Sequence, residues 1–511
     1  MKNISMKNIL IKLFSLNILL LQGCSDYSPM TEDEESEIIS TNTSLSDLKV
    51  TTDGDIFYPN FDPSIYHYAA DCVSEGTVLV EATTNEQLRI TINGDVKNGL
   101  KHEVEFNNLL LENDIVINVT NGPYSSDYII HCIDSDFPEI IITYKDEDIV
   151  DNGFFVISPR FTLNDESLSY LLIVDENGVP RFRKKISGVV TDFKRHKNGQ
   201  YSYAERTVRN DFGHWDNDIV ILNVSFEEVN RLQTIGLNHT DNHDFLISDE
   251  ETYILMSYNS AYRDLSPYGL SDNELTRDSV VQEITKDGQI LMEWNSFDHV
   301  DIGDCMQHRW PDDYAHINAV SISEDNNLVL SLRGCSQILK IDRYSAETIW
   351  QIGGANPDLV IFNDFYQEIC GQHTASEING YLYIFDNGGH CIGSRETNLG
   401  QISRALRYEL DFDNNYAVFV NDYSLNNTYT EYTLSGGSLF LSPNGNWVIN
   451  WSLRSGDFST INEITEDGSL AISIKLKKGD LNPRTYRVYK ETDLLLPINI
   501  SGEIFFYGAS N

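Results

Sequence analysis

The stretch HINAVSISEDNNLVLSLRG, residues 316–334, reads as an apolar strand, a polar turn and a second apolar strand that ends on an arginine. The same layout precedes it as HDFLISDEETYILMSY, residues 243–258, and follows it within CGQHTASEINGYLYIFDNGGHC, residues 370–391. Each hairpin opens with a histidine, His243, His316 or His373, where an apolar or small residue is the ordinary choice. The hairpins recur at about the length of one propeller blade with its loops, longer than a helical or solenoid repeat. Further hairpins open near Phe154, Val189 and Ser438, so six blades are expected. A closed ring leaves only short, protected strand edges and a central channel lined by the innermost strand of each blade. Histidines heading three innermost strands would then converge on one axis. Asp192 and Ser438 are expected at the corresponding positions of the second and sixth blades.

The rest of the chain agrees with an all-β fold. Short runs rich in Val, Ile, Tyr, Phe and Leu alternate with DENG, KNG, EDNN, PNG and EDG turns, and no long helical period interrupts them. The 511 residues suffice for one large β architecture and an accessory domain. We expect a small β-sandwich over residues 45–135 and a six-bladed β-propeller catalytic domain over 136–511. In the first segment, YPNFDPSIYHY and VTNGPYSSDYIIH resemble stretches of cadherin-like β-sandwich modules, which implies a spacer or packing role.

The N-terminus, MKNISMKNILIKLFSLNILLLQGCS, has a lysine-bearing start and an apolar run of signal-peptide length, short for a membrane span. Leu21, Gln22, Gly23 and Cys24 resemble a bacterial lipobox, in which the cysteine is acylated after cleavage. The expected product is a lipoprotein of the cell envelope, sorted to the outer membrane, with signal peptide 1–23 removed and membrane attachment only through the lipid on Cys24. A plain secretory signal is the alternative. Residues 24–44 are acidic and polar and read as a flexible tether.

Of seven cysteines, Cys24 is set apart by the lipobox, and the six others suit disulfides in an oxidising compartment. Cys72 with Cys132, Cys305 with Cys335, and Cys370 with Cys391 each bracket strand-like runs that hairpin pairing brings together. Six cysteines allow 15 connectivities, so other pairings stay open.

A formal charge of −42 argues against nucleic acid and anionic membrane surfaces as partners. If the substrate is an anion, the site must build its own positive potential from a few Arg and His groups. On a regular strand His316 and Asn318, two apart, face the same side, and Arg333 ends the returning strand. The planar fork of an arginine matches the oxygens of an oxyanion. A lone strand histidine is usually a hydrogen-bonded core residue and a lone arginine a solvated charge, so the functional reading rests on convergence. Three histidines could also hold zinc in a hydrolase site, and a non-catalytic propeller binding glycan or protein is a further alternative. Arg333 and Asn318 argue against zinc, because a cation beside a metal ion is unfavourable.

DNHDFLISDEETYILMSY, DYAHINAVSISEDNNLVLSLRGCSQILKIDRYSAETIWQIGG, GQHTASEINGYLYIFDNGG and SRALRYELD together resemble successive motifs of bacterial arylsulfate sulfotransferases, over roughly residues 140 to 500. The resemblance implies transfer of a sulfuryl group from a phenolic sulfate ester to a phenolic acceptor, by a ping-pong route through a sulfohistidine, with no nucleotide sulfate donor, cofactor or metal. It implies His373 as the nucleophile in GQHTA, His243 in HDF and His316 in HIN as oxyanion-binding and proton-handling groups, and Arg333 in SLRG as the sulfate-binding arginine. Asn318 and Arg404 are expected to bind substrate, while Tyr408 in the same last motif reads as a packing residue. Which of His243 and His316 is the general acid and base stays open. The family likeness also suggests a homodimer.

Overall fold

Turns of one geometry shape the blades. In KNG, KDG, EDNN, PNG and EDG, the fourth residue of the turn donates its N–H back to the first, as in Gly199 to His196 at 2.8 Å and Asn326 to Ser323 at 2.9 Å. That fourth residue sits at positive φ, 84° at Gly199 and 65° at Asn326, which is why glycine or asparagine occupies it. These observations come from a computed structural model that describes residues 41–508, except 74–75, 213–214, 306–310, 390, 392–400, 426–431, 455–458 and 501–502. Cys24 and residues 1–23, where the lipobox and signal peptide are expected, lie outside the described residues.

Six sheets of four or five strands form the propeller. From the inner strand outward, blade 2 is Val190–Arg195, Tyr201–Arg209, Trp215–Leu222 and Glu228–Leu232. Blade 3 runs from Phe245–Ile247 to Ile290–Asn295, blade 4 from Ile317–Ile322 to Thr348–Gly353, and blade 5 from His373–Ile378 to Tyr416–Tyr423, extended by the parallel edge strand Val360–Phe362. The middle strands pack on both faces and read as nearly continuous apolar runs, such as the fully buried Leu328–Leu332. Outer strands alternate, as Thr348–Gly353 does.

Strands from both ends of the propeller segment close the ring. Glu139–Lys145 adds a fifth, outer strand to blade 6, which otherwise runs from Ser438–Leu441 to Leu470–Lys477. Val488–Glu491 pairs with Phe154–Ile157 and becomes the innermost strand of blade 1. Blade 1 therefore does not open with Phe154 at the axis, as its sequence suggests. Its innermost strand comes from the far end of the propeller segment.

A second regularity governs where side chains point. The inner strands of blades 2, 4 and 5 break register between Thr191 and Lys194, Ile317 and Ala319, and His373 and Ala375. At these breaks Asp192, His316 and Thr374 have φ of 56°, 47° and 54°. Such bulges interrupt the simple in-and-out alternation of a strand.

Ahead of the propeller, seven strands between Asp47 and Ile133 form one connected sheet around the core of Leu48, Tyr68, Val80, Ile90, Ile117 and Ile130. The long strand Thr77–Ile92 pairs with Asp47–Thr51 along its first half and with Asp114–Asn121 along its second, so it turns the corner of that sheet. Buried Arg183 of the propeller ties the two parts together, donating to the Asn113 carbonyl at 2.6 Å and the Asp114 carboxylate at 2.9 Å. Disulfides join Cys72 with Cys132, Cys305 with Cys335 and Cys370 with Cys391.

Candidate active site

All six blades contribute to a cavity of about 440 Å³ at the propeller axis. Its wall includes Thr191 and Arg206 of blade 2, His243 of blade 3, His316 and Arg333 of blade 4, His373 of blade 5, Ser435, Gly436 and Ser452 of blade 6, and Arg160, Arg484 and Tyr486 of blade 1. The three hairpin histidines therefore do meet, and Arg333 meets them. The rings of His243 and His316 lie 5.6 Å apart, and Tyr486 touches both His243, at 5.5 Å, and His373, at 6.3 Å.

His373 is only 2 % exposed. Its Nδ1 lies 2.7 Å from the Asn387 side-chain oxygen, and its Nε2 accepts the N–H of Gly436 at 3.1 Å. A backbone N–H can only donate, so Nε2 carries the lone pair and Nδ1 the proton. Asn387 is itself fixed, donating its amide to the carbonyls of Thr433 and Gly436. Burial, reinforced by the Arg333 charge, pushes His373 well below the usual imidazole range, although Asn387 opposes the shift. The ring is accordingly neutral at physiological pH.

His243 and His316 share a different construction. His243 Nδ1 meets the Asp241 carboxylate at 2.9 Å, and His316 Nδ1 meets that of Asp313 at 2.6 Å. Both carboxylates are buried behind the rings, so each Nε2 is left toward the cavity. Burial lowers the His316 pKa, Asp313 works against that, and the nearby Arg333 and His243 add to it. Tyr258 sits against both rings and donates its hydroxyl to the Ile317 carbonyl at 2.5 Å.

Arg333 is 6 % exposed, and its Nε has no hydrogen-bond partner. Its own N–H donates to the His316 carbonyl at 3.0 Å, which locks the arginine beside that histidine at the hairpin mouth. Next to it, Gly334 lies so close to the Tyr314 backbone that a Cβ would come within 2.0 Å of the Tyr314 oxygen. Among the described residues Arg333 has no carboxylate partner. A buried guanidinium left this way is suited to an incoming anion.

Two expected binding residues are placed elsewhere. Asn318 is fully buried behind the wall, donating to the Gln372 carbonyl at 2.7 Å. The bulge at Ile317/Ala319 and the left-handed His316 cancel the alternation that would have put Asn318 beside His316. It thereby supports the residue before His373 and does not face the cavity. Arg404 is also fully buried, held by Asp364 at 2.9 Å, Asp386 at 3.2 Å and Asp422 at 3.2 Å. Those carboxylates occupy its donors, and it braces blade 5 away from the axial cavity. Asp192, expected to face the channel, is instead buried in a cluster with Lys194, Arg487 and Tyr489.

Sequence reasoning missed several wall and support residues. Asp241 and Asp313 lie two and three positions before their histidines and Asn387 ends the His373 hairpin, so each carried a local signal. Tyr486, Arg160 and Arg484 carried none, since only ring closure brings them together, and Arg206 lies on the second strand of blade 2, outside the histidine hairpins. The wall has no Asp or Glu among the described residues, so a chain of −42 overall presents a locally cationic cavity. For zinc, the fit is poor. The described residues gather three metal-ligating atoms within 4.8 Å only at Glu368, Cys370 and Cys391, where the two sulfurs form a disulfide.

Fold and cavity together define a six-bladed propeller in which three histidines and an arginine meet at one axial cavity. The chain belongs to the arylsulfotransferase (ASST) family, whose profile matches residues 140–487. No curated protein matches it. Solved structures offer slight likenesses. A Bacteroides caccae protein of unknown function is 9% identical over 66% of this chain and 99% of that one, with a TM-score of 0.41. A catalytically inactive virginiamycin B lyase from Staphylococcus aureus is 11% identical over 73% and 96%, with a TM-score of 0.33. A putative phosphatase from Bacteroides thetaiotaomicron is 10% identical over 92% and 100%, with a TM-score of 0.35. Likenesses this low carry no argument about function.

Proposed function

We propose that the enzyme moves a sulfuryl group from a phenolic sulfate ester to a phenolic acceptor in two half-reactions, with His373 as the carrier. The observation that supports this most strongly is the tautomer of His373: a neutral ring, its proton on Nδ1 held by Asn387, with the Nε2 lone pair at the cavity. In the first half-reaction Nε2 forms a bond to sulfur while the bond from sulfur to the aryl oxygen breaks. The departing oxygen takes a proton from the His243 and His316 pair, and Arg333 balances charge on the sulfuryl oxygens. In the second, the pair removes the phenol proton of the acceptor, its oxygen attacks sulfur, and the N–S bond breaks. By analogy with phosphoryl transfer, positioning and charge balance carry most of the catalysis.

Nε2 is engaged by the Gly436 N–H. Donor entry must therefore displace that amide, and the glycine-rich segment Ser435 to Gly437 is where the wall gives way. We also propose that Cys24 carries a lipid anchor in the cell envelope, on the lipobox reading alone.

Initial rates with 4-nitrophenyl sulfate and phenol, both varied, test the two-step order. Parallel double-reciprocal lines are expected, together with exchange of labelled nitrophenol into the donor without acceptor. Converging lines with no exchange would point to direct transfer in a ternary complex.

A further inference from the structure

One buried arginine matches the single charge of a sulfate monoester, yet four arginines line the cavity: Arg160, Arg206, Arg333 and Arg484. Arg160 and Arg484 are bridged through their backbones, each N–H donating to the other's carbonyl, at 2.9 and 2.8 Å. Burial first, and then the nearby charges of Arg206 and Arg484, bring the Arg160 guanidinium pKa down to about 10. Like charges so placed repel one another. No carboxylate among the described residues pairs with any of the three, although the chain has 78 acidic residues. The guanidinium of Arg206 also packs over the ring of Trp215 at 5.4 Å, which limits its freedom. Arg160 and Arg206 are half-buried and Arg484 is exposed, so the group lies toward the solvent side, while His373 and Arg333 lie deep.

We propose that Arg160, Arg206 and Arg484 form a second anion subsite, and that the aryl substrates carry a further anionic substituent, a carboxylate or a second sulfate, on the part of the molecule remote from the reacting sulfur. The inference rests on the sulfuryl-transfer reading. The reacting sulfate sits with Arg333 and the histidines, and the second anion anchors the ring at the mouth. Because donor and acceptor occupy the cavity in turn, the same subsite selects both. It also offsets the overall negative field of the protein for an anionic ligand.

The test compares kcat/KM for 4-carboxyphenyl sulfate with that for its methyl ester, with phenol as acceptor. The ester is the better leaving group, so leaving-group chemistry works against the expected result. The carboxylate should be favoured about tenfold at low ionic strength, and salt should shrink the preference. Arg160→Gln/Arg206→Gln should bring the ratio toward one, and Arg206→Glu should turn it in favour of the ester. Arg484→Gln, at the most exposed of the three, serves if the double variant folds poorly. A 1,4-phenylene bis-sulfate arm shows whether sulfate serves as well as carboxylate. A wild-type ratio at or below one, or a ratio that the variants leave unchanged, overturns the subsite. If no donor is turned over at all, it is the transfer reading that fails. The subsite is then judged by calorimetry with 4-sulfobenzoate and its methyl ester, which hold no transferable group: tighter binding of the free acid to wild type than to Arg160→Gln/Arg206→Gln upholds it, and equal binding overturns it.

Discussion

Replacing Asp313 by asparagine isolates the proton-handling half of the site. Asp313 holds His316 Nδ1 at 2.6 Å from behind the ring and opposes the fall in the His316 pKa that burial causes. A hydrogen bond to a buried charged group contributes about 1.5 to 3 kcal/mol, which corresponds to about ten- to hundredfold in rate if it is fully engaged in the transition state. An asparagine can also donate to Nδ1 and reverse the tautomer, which adds to the loss. The loss should depend on the leaving group. Nitrophenolate departs without much protonation, whereas an unsubstituted phenolate needs a proton in transit. Asp313→Asn should therefore slow transfer from phenyl sulfate by the full factor and from 4-nitrophenyl sulfate by only a few-fold. The pH profile follows from the same shifts. His316 must carry a proton to act as acid, and its pKa lies below the usual 6.5, so transfer from phenyl sulfate should rise as pH falls through that region. His373, lowered further, stays a neutral nucleophile there. Removing the Asp313 charge should move the rise to still lower pH. The assay is single-turnover stopped flow across a series of aryl sulfates, with Asp241→Asn as the matching variant for His243. Equal losses for good and poor leaving groups in both variants would refute a proton-transfer role for the pair.

His373→Ala should reduce nitrophenolate release by about three orders of magnitude or more while leaving the melting temperature near that of wild type, as measured by rate and calorimetric scan. Gly436→Ala should lose most activity, because φ is 67° there and a Cβ would lie 2.8 Å from the Ser452 hydroxyl, on the segment that must move for donor entry; steady-state kinetics with a circular-dichroism control reads this. Arg404→Leu should destabilise the fold by about 3 to 5 kcal/mol, since it strands Asp364 and Asp386 in the interior. Burial raises the Asp364 pKa and the Arg404 bonds more than reverse this, so the wild-type stability from this group is present at neutral pH and lost as pH falls through its lowered pKa. The destabilisation in the variant should accordingly be larger at pH 7 than at pH 4 in denaturant titrations.

The hairpins that begin at His243, His316 and His373 were legible because strand, turn and strand are local patterns, and their repetition at blade length is enough to imply a ring. Arg333 was legible for the same reason, as the end of the hairpin that His316 begins. Asn318 was not, because a bulge is a one-residue event that sequence periodicity does not register, and one residue reverses the facing of a side chain. Arg404 misled because its partners Asp364, Asp386 and Asp422 lie on a loop and two strands that only the folded blade assembles. Tyr486 and the bridged pair Arg160 and Arg484 depend on ring closure by Val488–Glu491, a pairing between opposite ends of the propeller. Local chemistry was thus readable, whereas long-range closure and charge neutralisation required the tertiary structure.

The central claim is a covalent sulfuryl group on one imidazole nitrogen. Mixing the enzyme with excess 4-nitrophenyl sulfate and no acceptor, quenching in base and measuring peptide masses tests it most directly. The account predicts a nitrophenolate burst equal to the enzyme present and one added SO3 on the peptide containing His373. No burst, or an adduct on another residue while turnover with phenol proceeds normally, would contradict it.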